Sequence, residues 1–171
     1  MILTLTPSDL RTLFAAIPGV PTRNVAVTVS KDRLLINLIG IDYAALIPEP
    51  TLLQQITIAA APADAELWMT GQQVSGKAIA IRWGPTGLFA AIAQTLGLGS
   101  LVIQRLFAGC PAAVSEVSSD AFKLHLDRLP EPMPSVIRPW LLRQVQIPSV
   151  DGLALKLVAE PAAEPAPSGN P

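Results

Sequence analysis

The chain has 171 residues, half of them hydrophobic and only 15% charged. A formal net charge of −1 and a pI of about 5.8 leave no electrostatic footprint for nucleic acid. One cysteine, Cys110, and one histidine, His125, allow neither an internal disulfide nor a zinc site. A mean hydropathy of +0.45 requires apolar surface to be buried on itself or offered to a partner.

The apolar N-terminus lacks a basic leader and breaks at Ser8-Asp9-Leu10-Arg11, so no signal peptide is expected and the chain is read as cytoplasmic. Ile2 to Leu5 suits a short strand. Thr6 is placed to cap a helix with Pro7 at its first position, Asp9 at its positive end, and Leu10, Leu13, Phe14 and Ile17 on one face. Pro18-Gly19 ends it. Val25, Val27 and Val29 alternate into a strand, Ser30-Lys31-Asp32 turns, and Leu34 to Ile39 returns. Ile41 to Ile47 fits a short helix or a continued strand. Ile56 to Ala60 and Glu66 to Thr70 read as a further strand pair, followed by a polar turn over Gly71 to Gly76. Lys77 to Trp83 alternates again, and a helix is expected through Leu88, Ile92 and Leu96. Phe122, Leu124 and Leu126 mark a half-buried strand, and Ser135 to Leu142 suits a helix around Pro139. Gln144 to Ser149 and Leu153 to Ala159 form a hairpin turned at Val150-Asp151-Gly152. From Glu160 the Pro, Ala and Glu composition predicts a mobile tail.

Three phrases recur in the same order. Leu13-Phe14-Ala15-Ala16-Ile17 returns as Leu88-Phe89-Ala90-Ala91-Ile92, and Val29-Ser30-Lys31-Asp32 as Val117-Ser118-Ser119-Asp120. Pro48-Glu49-Pro50 with Leu52 to Ile58 returns as Pro130-Glu131-Pro132 with Leu141 to Ile147. Collinear echoes point to an internal duplication, and their unequal offsets place an insertion of roughly a dozen residues in the second copy, over 93–105. No charge occurs from Trp83 to Gln104. That length just reaches a membrane span, against which stand Pro85 and Gly84, Gly87, Gly97 and Gly99. A helix apolar on every side ordinarily belongs to a core. The functional alternative is a lid or docking element flanked by Arg82, Trp83 and Arg105.

Catalytic patterns are incomplete. Gly71 to Ala78 resembles a phosphate-binding loop but puts Ala78 where a hydroxyl must hold magnesium. Gly97-Leu98-Gly99 lacks a third glycine and follows a helix. Cys110 and His125 are the one available Cys–His pair, and no Gly-x-Ser-x-Gly elbow occurs. Asp32 and Asp120 suit turns, and each Pro-Glu-Pro suits a rigid extended connection. Lys123, Arg128, Arg138 and Arg143 make the later part more basic, as a solvated face or a seat for an anionic head group.

The capped N-terminal helix, the alternating strands, Leu126 to Pro132 (LDRLPEP) and Val150 to Leu157 (VDGLALKL) resemble bacterial lipid-binding proteins of the TULIP-like type. The resemblance covers about a third of the chain and implies an elongated sheet wrapped on helices around an apolar groove.

The sequence thus predicts an α+β fold of two related βαββββ-like halves, 1–76 and 77–159, with antiparallel sheets on central helices, the insertion at 93–105 and a tail at 160–171. The expected function is non-enzymatic binding of a hydrophobic small molecule, a lipid or a membrane surface, the protein being peripheral to the membrane in the last case. The alternative is a protein–protein or homo-oligomeric assembly module. Ligand contacts are assigned to Leu88, Phe89, Ile92, Leu96, Leu101 and Ile103, and head-group or membrane contacts to Arg82, Trp83 and Arg105. No catalytic residue, metal or cofactor is assigned.

Overall fold

The computed structural model describes residues 1–17, 24–30, 33–47, 49–60, 64–85, 98–147 and 155–162. Strand β1 (Ile2–Leu5) leads into helix α1 (Pro7–Ala15), followed by β2 (Asn24–Ser30), β3 (Arg33–Ile39), α2 (Tyr43–Leu46) and α3 (Leu52–Ala60). Then come β4 (Asp64–Thr70), β5 (Gln72–Gly76), β6 (Ala78–Pro85) and α4 (Leu98–Leu106). The chain continues through β7 (Val114–Ser115), β8 (Ala121–His125), α5 (Met133–Ile137), β9 (Trp140–Gln146) and β10 (Leu155–Pro161). Among the described residues all strand pairs are antiparallel, in a four-stranded sheet of order β1-β10-β9-β5 and a six-stranded sheet of order β2-β3-β4-β6-β8-β7. The mixed α+β class expected from the sequence is observed.

Period-2 patterning builds the larger sheet. Leu34, Ile36 and Leu38 of β3, Ala65, Leu67 and Met69 of β4, and Ile79, Ile81 and Trp83 of β6 all turn to one buried face. Phe122 and Leu124 of β8 continue that face. Leu142 and Val145 of β9 and Leu155, Leu157 and Ala159 of β10 bury one face of the smaller sheet, and both sheets contribute to one apolar cluster. Leu10 and Phe14 of α1 join it, as do Val102, Ile103 and Leu106 of α4. The Phe107 and Phe122 rings meet at 5.6 Å in a tilted arrangement.

Thr6 and Asp9 start α1 as expected: the Thr6 hydroxyl accepts from the Asp9 N–H (3.2 Å), and the Asp9 carboxylate accepts from the Thr6 N–H (2.8 Å). Several other expectations need correction. Residues 56–60 form no strand but the end of α3, whose start carries its own capping box: the Gln54 N–H donates to the Thr51 hydroxyl and the Gln54 side chain accepts from the Thr51 N–H. Gly71 to Gly76 is no plain turn, because Gln72–Gly76 forms an edge strand on β9. The helix expected over Ser135 to Leu142 stops at Ile137, ahead of Pro139, and the chain continues as β9. Glu160 and Pro161, placed in the tail, pair with Leu141 and Trp140. Neither Pro-Glu-Pro is simply extended, since Glu49 has φ of +54° and the Glu131–Pro132 bond is cis.

The echoes translate only in part. The second phrase adjoins a hairpin both times, β2–β3 and β7–β8. In the third phrase LLQQITI is helix α3 whereas LLRQVQI lies in strand β9, and β1 and its counterpart β6 lie in different sheets. The pairs β1–β10, β5–β9 and β4–β6 all cross the boundary at 76/77, so the two proposed halves interleave.

Two outcomes follow from this packing. Gly99 opens α4 so close to the Ser119 backbone that an added Cβ would overlap the Ser119 carbonyl. Glycine to alanine inside a helix normally gains up to about 1 kcal/mol. Overpacking costs about 1–3 kcal/mol, so Gly99→Ala is expected to destabilise, read as a lower urea midpoint. Tyr43, the chain's single tyrosine, is buried with its hydroxyl donating to the Asp64 carbonyl (3.3 Å). Burial first and the Asp64 charge second push its pKa well above the ordinary 10.0. Its contribution to stability is full below that value and is lost as pH rises beyond it, because the unfolded chain ionises first. Tyrosinate absorbance is expected to appear near the ordinary value in urea and at clearly higher pH in the folded protein. Tyr43→Phe removes the corresponding alkaline loss of stability.

Candidate functional site

A groove of about 400 Å³ with an apolar wall lies between β1, α1 and α5. Leu3 and Leu5 come from β1, Leu13 and Ala16 from α1, and Pro132, Met133 and Val136 from the segment at α5. Strand alternation puts Leu3 and Leu5 on one side of β1, and the helical spacing of Leu13 and Ala16 turns them to the same side of α1.

The polar groups of the groove are largely satisfied within the protein. Asp9 is occupied with Thr6, and the Thr12 hydroxyl donates to the Ser8 carbonyl (2.9 Å). The Glu131 carboxylate accepts from the Ser135 N–H (3.2 Å). The Thr6 hydroxyl and N–H hold the Asp9 pKa below the ordinary carboxylate range. What the groove offers a ligand is therefore apolar surface with two carboxylates at its rim.

Its β1 wall is also a sheet edge. The N-terminal ammonium donates to the Ala159 carbonyl (2.7 Å) and the Ala159 N–H donates to the Met1 carbonyl (2.9 Å), so this pair exchanges both hydrogen bonds. With Ile2 opposite Val158 and Leu3 opposite Leu157, antiparallel alternation makes Leu3 and Leu5 the next bonded residues. It turns the main-chain N–H and C=O of Ile2 and Thr4 away from β10. Among the described residues no strand pairs with that side.

A second apolar surface lies on α3, where Leu52, Leu53 and Ile56 are 74%, 57% and 59% exposed. These residues share a helix face that nothing covers among the described residues. A smaller, more polar pocket of about 310 Å³ sits over Trp68, Thr70, Gln72 and Arg82.

The sequence-assigned contacts are dispersed. Leu88, Phe89, Ile92 and Leu96 lie outside the described residues. Leu101 is half-buried against the core and Ile103 is fully buried in it, so this part of the uncharged stretch is core helix. Arg82 and Arg105 are exposed, but Trp83 is 2% exposed. Adjacent residues of a strand face opposite ways, so Arg82 and Trp83 present no common surface. The Trp83 indole N–H has no partner among the described residues.

His125 bonds not to Cys110 but to Ser115, with Oγ to Nε2 at 2.7 Å. Register explains it, for β7 sets Ser115 opposite Lys123, two residues before His125 on the same face. A serine nucleophile needs its histidine oriented by a third group. Among the described residues the other ring nitrogen has no recorded partner, and Asp127, whose Oδ1 is buried and unpartnered, makes no ion pair with it. Burial raises the Cys110 pKa, leaving a thiol rather than a reactive thiolate. Among the described residues no group of three His, Cys, Asp or Glu could hold a metal ion, and no helix is long and apolar enough to cross a membrane.

Comparison with protein-family models, curated proteins and solved structures gives no match.

Sequence reasoning missed β1, α1 and α5 as a site because their residues are far apart in the chain. Ser115 was likewise masked by the search for a Cys–His pair. With its histidine unsupported, Ser115 is expected to resist a fluorophosphonate reagent, as intact-mass analysis would report. Stoichiometric labelling at Ser115 would establish an activated serine instead.

Proposed function

We propose that this is a non-enzymatic binding protein whose groove between β1, α1 and α5 receives a hydrophobic ligand, a lipid chain or an apolar group at a membrane surface. The observation that carries this reading is the groove itself: an apolar wall whose Asp9, Thr12 and Glu131 side chains already have internal partners. An apolar ligand gains from such a wall while the outward backbone groups of Ile2 and Thr4 keep their water at the sheet edge. Its volume lies at the lower end of ordinary ligand pockets.

A second reading, a protein–protein or homo-oligomeric assembly module, draws on the exposed Leu52, Leu53 and Ile56 of α3 and on the free edge of β1.

Nile red, a neutral apolar probe, is expected to brighten on binding the protein. Val136, 40% exposed on the groove wall, tolerates a charged head that can reach solvent. Val136→Lys should therefore keep the fold while weakening the probe about tenfold. Leu53→Lys on α3 should leave probe binding unchanged and remove any co-flotation with phosphatidylcholine–phosphatidylglycerol vesicles that depends on that helix. Absence of Nile red binding, of co-flotation and of co-purifying lipid would reject the hydrophobic-ligand reading.

A further inference from the structure

Four sheet edges exist among the described strands, and three are blunted. Strand β7 has two residues. Strand β5 pairs irregularly with β9, its register shifting between Gln73 and Gly76. Strand β2 lies against α1, and the Arg11 guanidinium donates to the Val25 carbonyl (3.1 Å). β1, four residues long, is short but has neither a register shift nor a side chain bonded across its outer edge among the described residues. It is regular in register, carries no charged side chain and no proline, and leaves Ile2 60% exposed. Natural sheets ordinarily guard such an edge against pairing with another chain.

The open edge also forms the wall of the groove. An extended segment laid beside β1 would find the outward N–H and C=O groups of Ile2 and Thr4 as its ladder. Its alternate side chains would enter the space lined by Leu5, Leu13, Met133 and Val136. Asp9 and Glu131 stand at the rim with no Lys or Arg lining the groove. Each carboxylate uses one oxygen, Oδ2 and Oε2 respectively, in its recorded internal bonds. This charge favours a partner with cationic side chains beside its apolar ones. It disfavours a second copy of this chain, which would bring two more carboxylates to the same seam. A lipid chain could fill the groove but would leave the Ile2 and Thr4 backbone groups unused.

We propose that the β1 edge and its groove capture an extended segment of another protein whose groove-facing, alternate residues are apolar at the centre and basic at the ends, adding a fifth strand to the four-stranded sheet. The proposal rests on the groove being the binding site, as argued above.

The test uses the full chain and a fluorescein-labelled Lys-Thr-Val-Thr-Val-Thr-Lys peptide, which puts its valines and lysines on one face, with polarisation as the readout. The same peptide with glutamate for lysine, and a third form N-methylated at alternate residues, serve as comparisons. Binding is expected for the lysine peptide, weakening with salt. It should fall about tenfold or more for the N-methylated form, whose backbone cannot donate. The Asp9→Asn, Glu131→Gln double variant should lose roughly fivefold, as expected of exposed ion pairs. Thr4→Pro removes an N–H that points away from β10, so the β1–β10 ladder should survive, verified by circular dichroism, while peptide binding is lost. If that variant misfolds, the N-methylated peptide answers the same question on the unaltered protein. Equal binding of the lysine and glutamate peptides, or of the N-methylated form, overturns the proposal. So does a dimer in light scattering that the lysine peptide fails to dissociate. Nile red binding without peptide binding overturns the partner while leaving the groove as a hydrophobic site. Failure of both probes removes the groove reading as well.

Discussion

The pairing of β1 with β10 is the constraint on which the groove and the open sheet edge depend. It joins residues 155–161 to the first strand and fixes, through the doubly bonded Met1 and Ala159, which backbone groups are spent inside the sheet. A one-residue slip would exchange the two faces of β1 and take Leu3 and Leu5 out of the groove. It would also reverse which N–H and C=O groups point outward. The capping box at Thr6 then directs the chain out of β1 into α1, so that Leu13 faces the same groove as Leu5. The cavity and the open edge are thus consequences of one register.

The high hydropathy of the chain has a structural destination. α4 takes part of the uncharged stretch into the core, with Val102, Ile103 and Leu106 buried and Arg105 exposed in its last turn, where a cation complements the helix dipole. The two sheets place their inner faces in the same cluster. Apolar surface left uncovered among the described residues is concentrated on the face of α3 and around Met1, Ile2 and Val136. The latter group adjoins the groove and the former does not line it.

Strands whose side chains alternate strictly were legible from sequence. Leu34, Ile36 and Leu38, or Phe122 and Leu124, could only be half-buried strands, and they are. The cap at Thr6 was legible for the same reason, being a local chemical signal. Less legible were segments whose fate is decided by neighbours. LLQQITI and LLRQVQI are nearly the same string, yet Thr51 and Gln54 cap the first into a helix. The second follows Pro139 and is held between β5 and β10. The Thr51-x-x-Gln54 signature stands in the sequence before the first string and has no counterpart before the second, so capping chemistry rather than similarity decides. β5, polar and rich in glutamine, becomes a strand only because β9 offers it an edge. The groove was invisible because Leu3, Leu13 and Val136 share no periodicity that sequence can expose.

The two carboxylates at the groove serve the fold first. Asp9 and Glu131 each stabilise local backbone by accepting N–H groups at the start of a helix, so their positions are set by the fold rather than by a ligand. Asp9 nevertheless keeps its charge near an apolar wall, since hydrogen bonding to the ionised form holds it in that form. A purely hydrophobic site would gain nothing from two anions at its rim, and a long-chain acid would be repelled by them. An apolar group that carries or adjoins a cation can instead bury its hydrocarbon against Leu13 and Val136 and leave its charge at the carboxylates in water. The fold has thus set the sign of the charge that this groove favours without adding any residue beyond those that cap its helices.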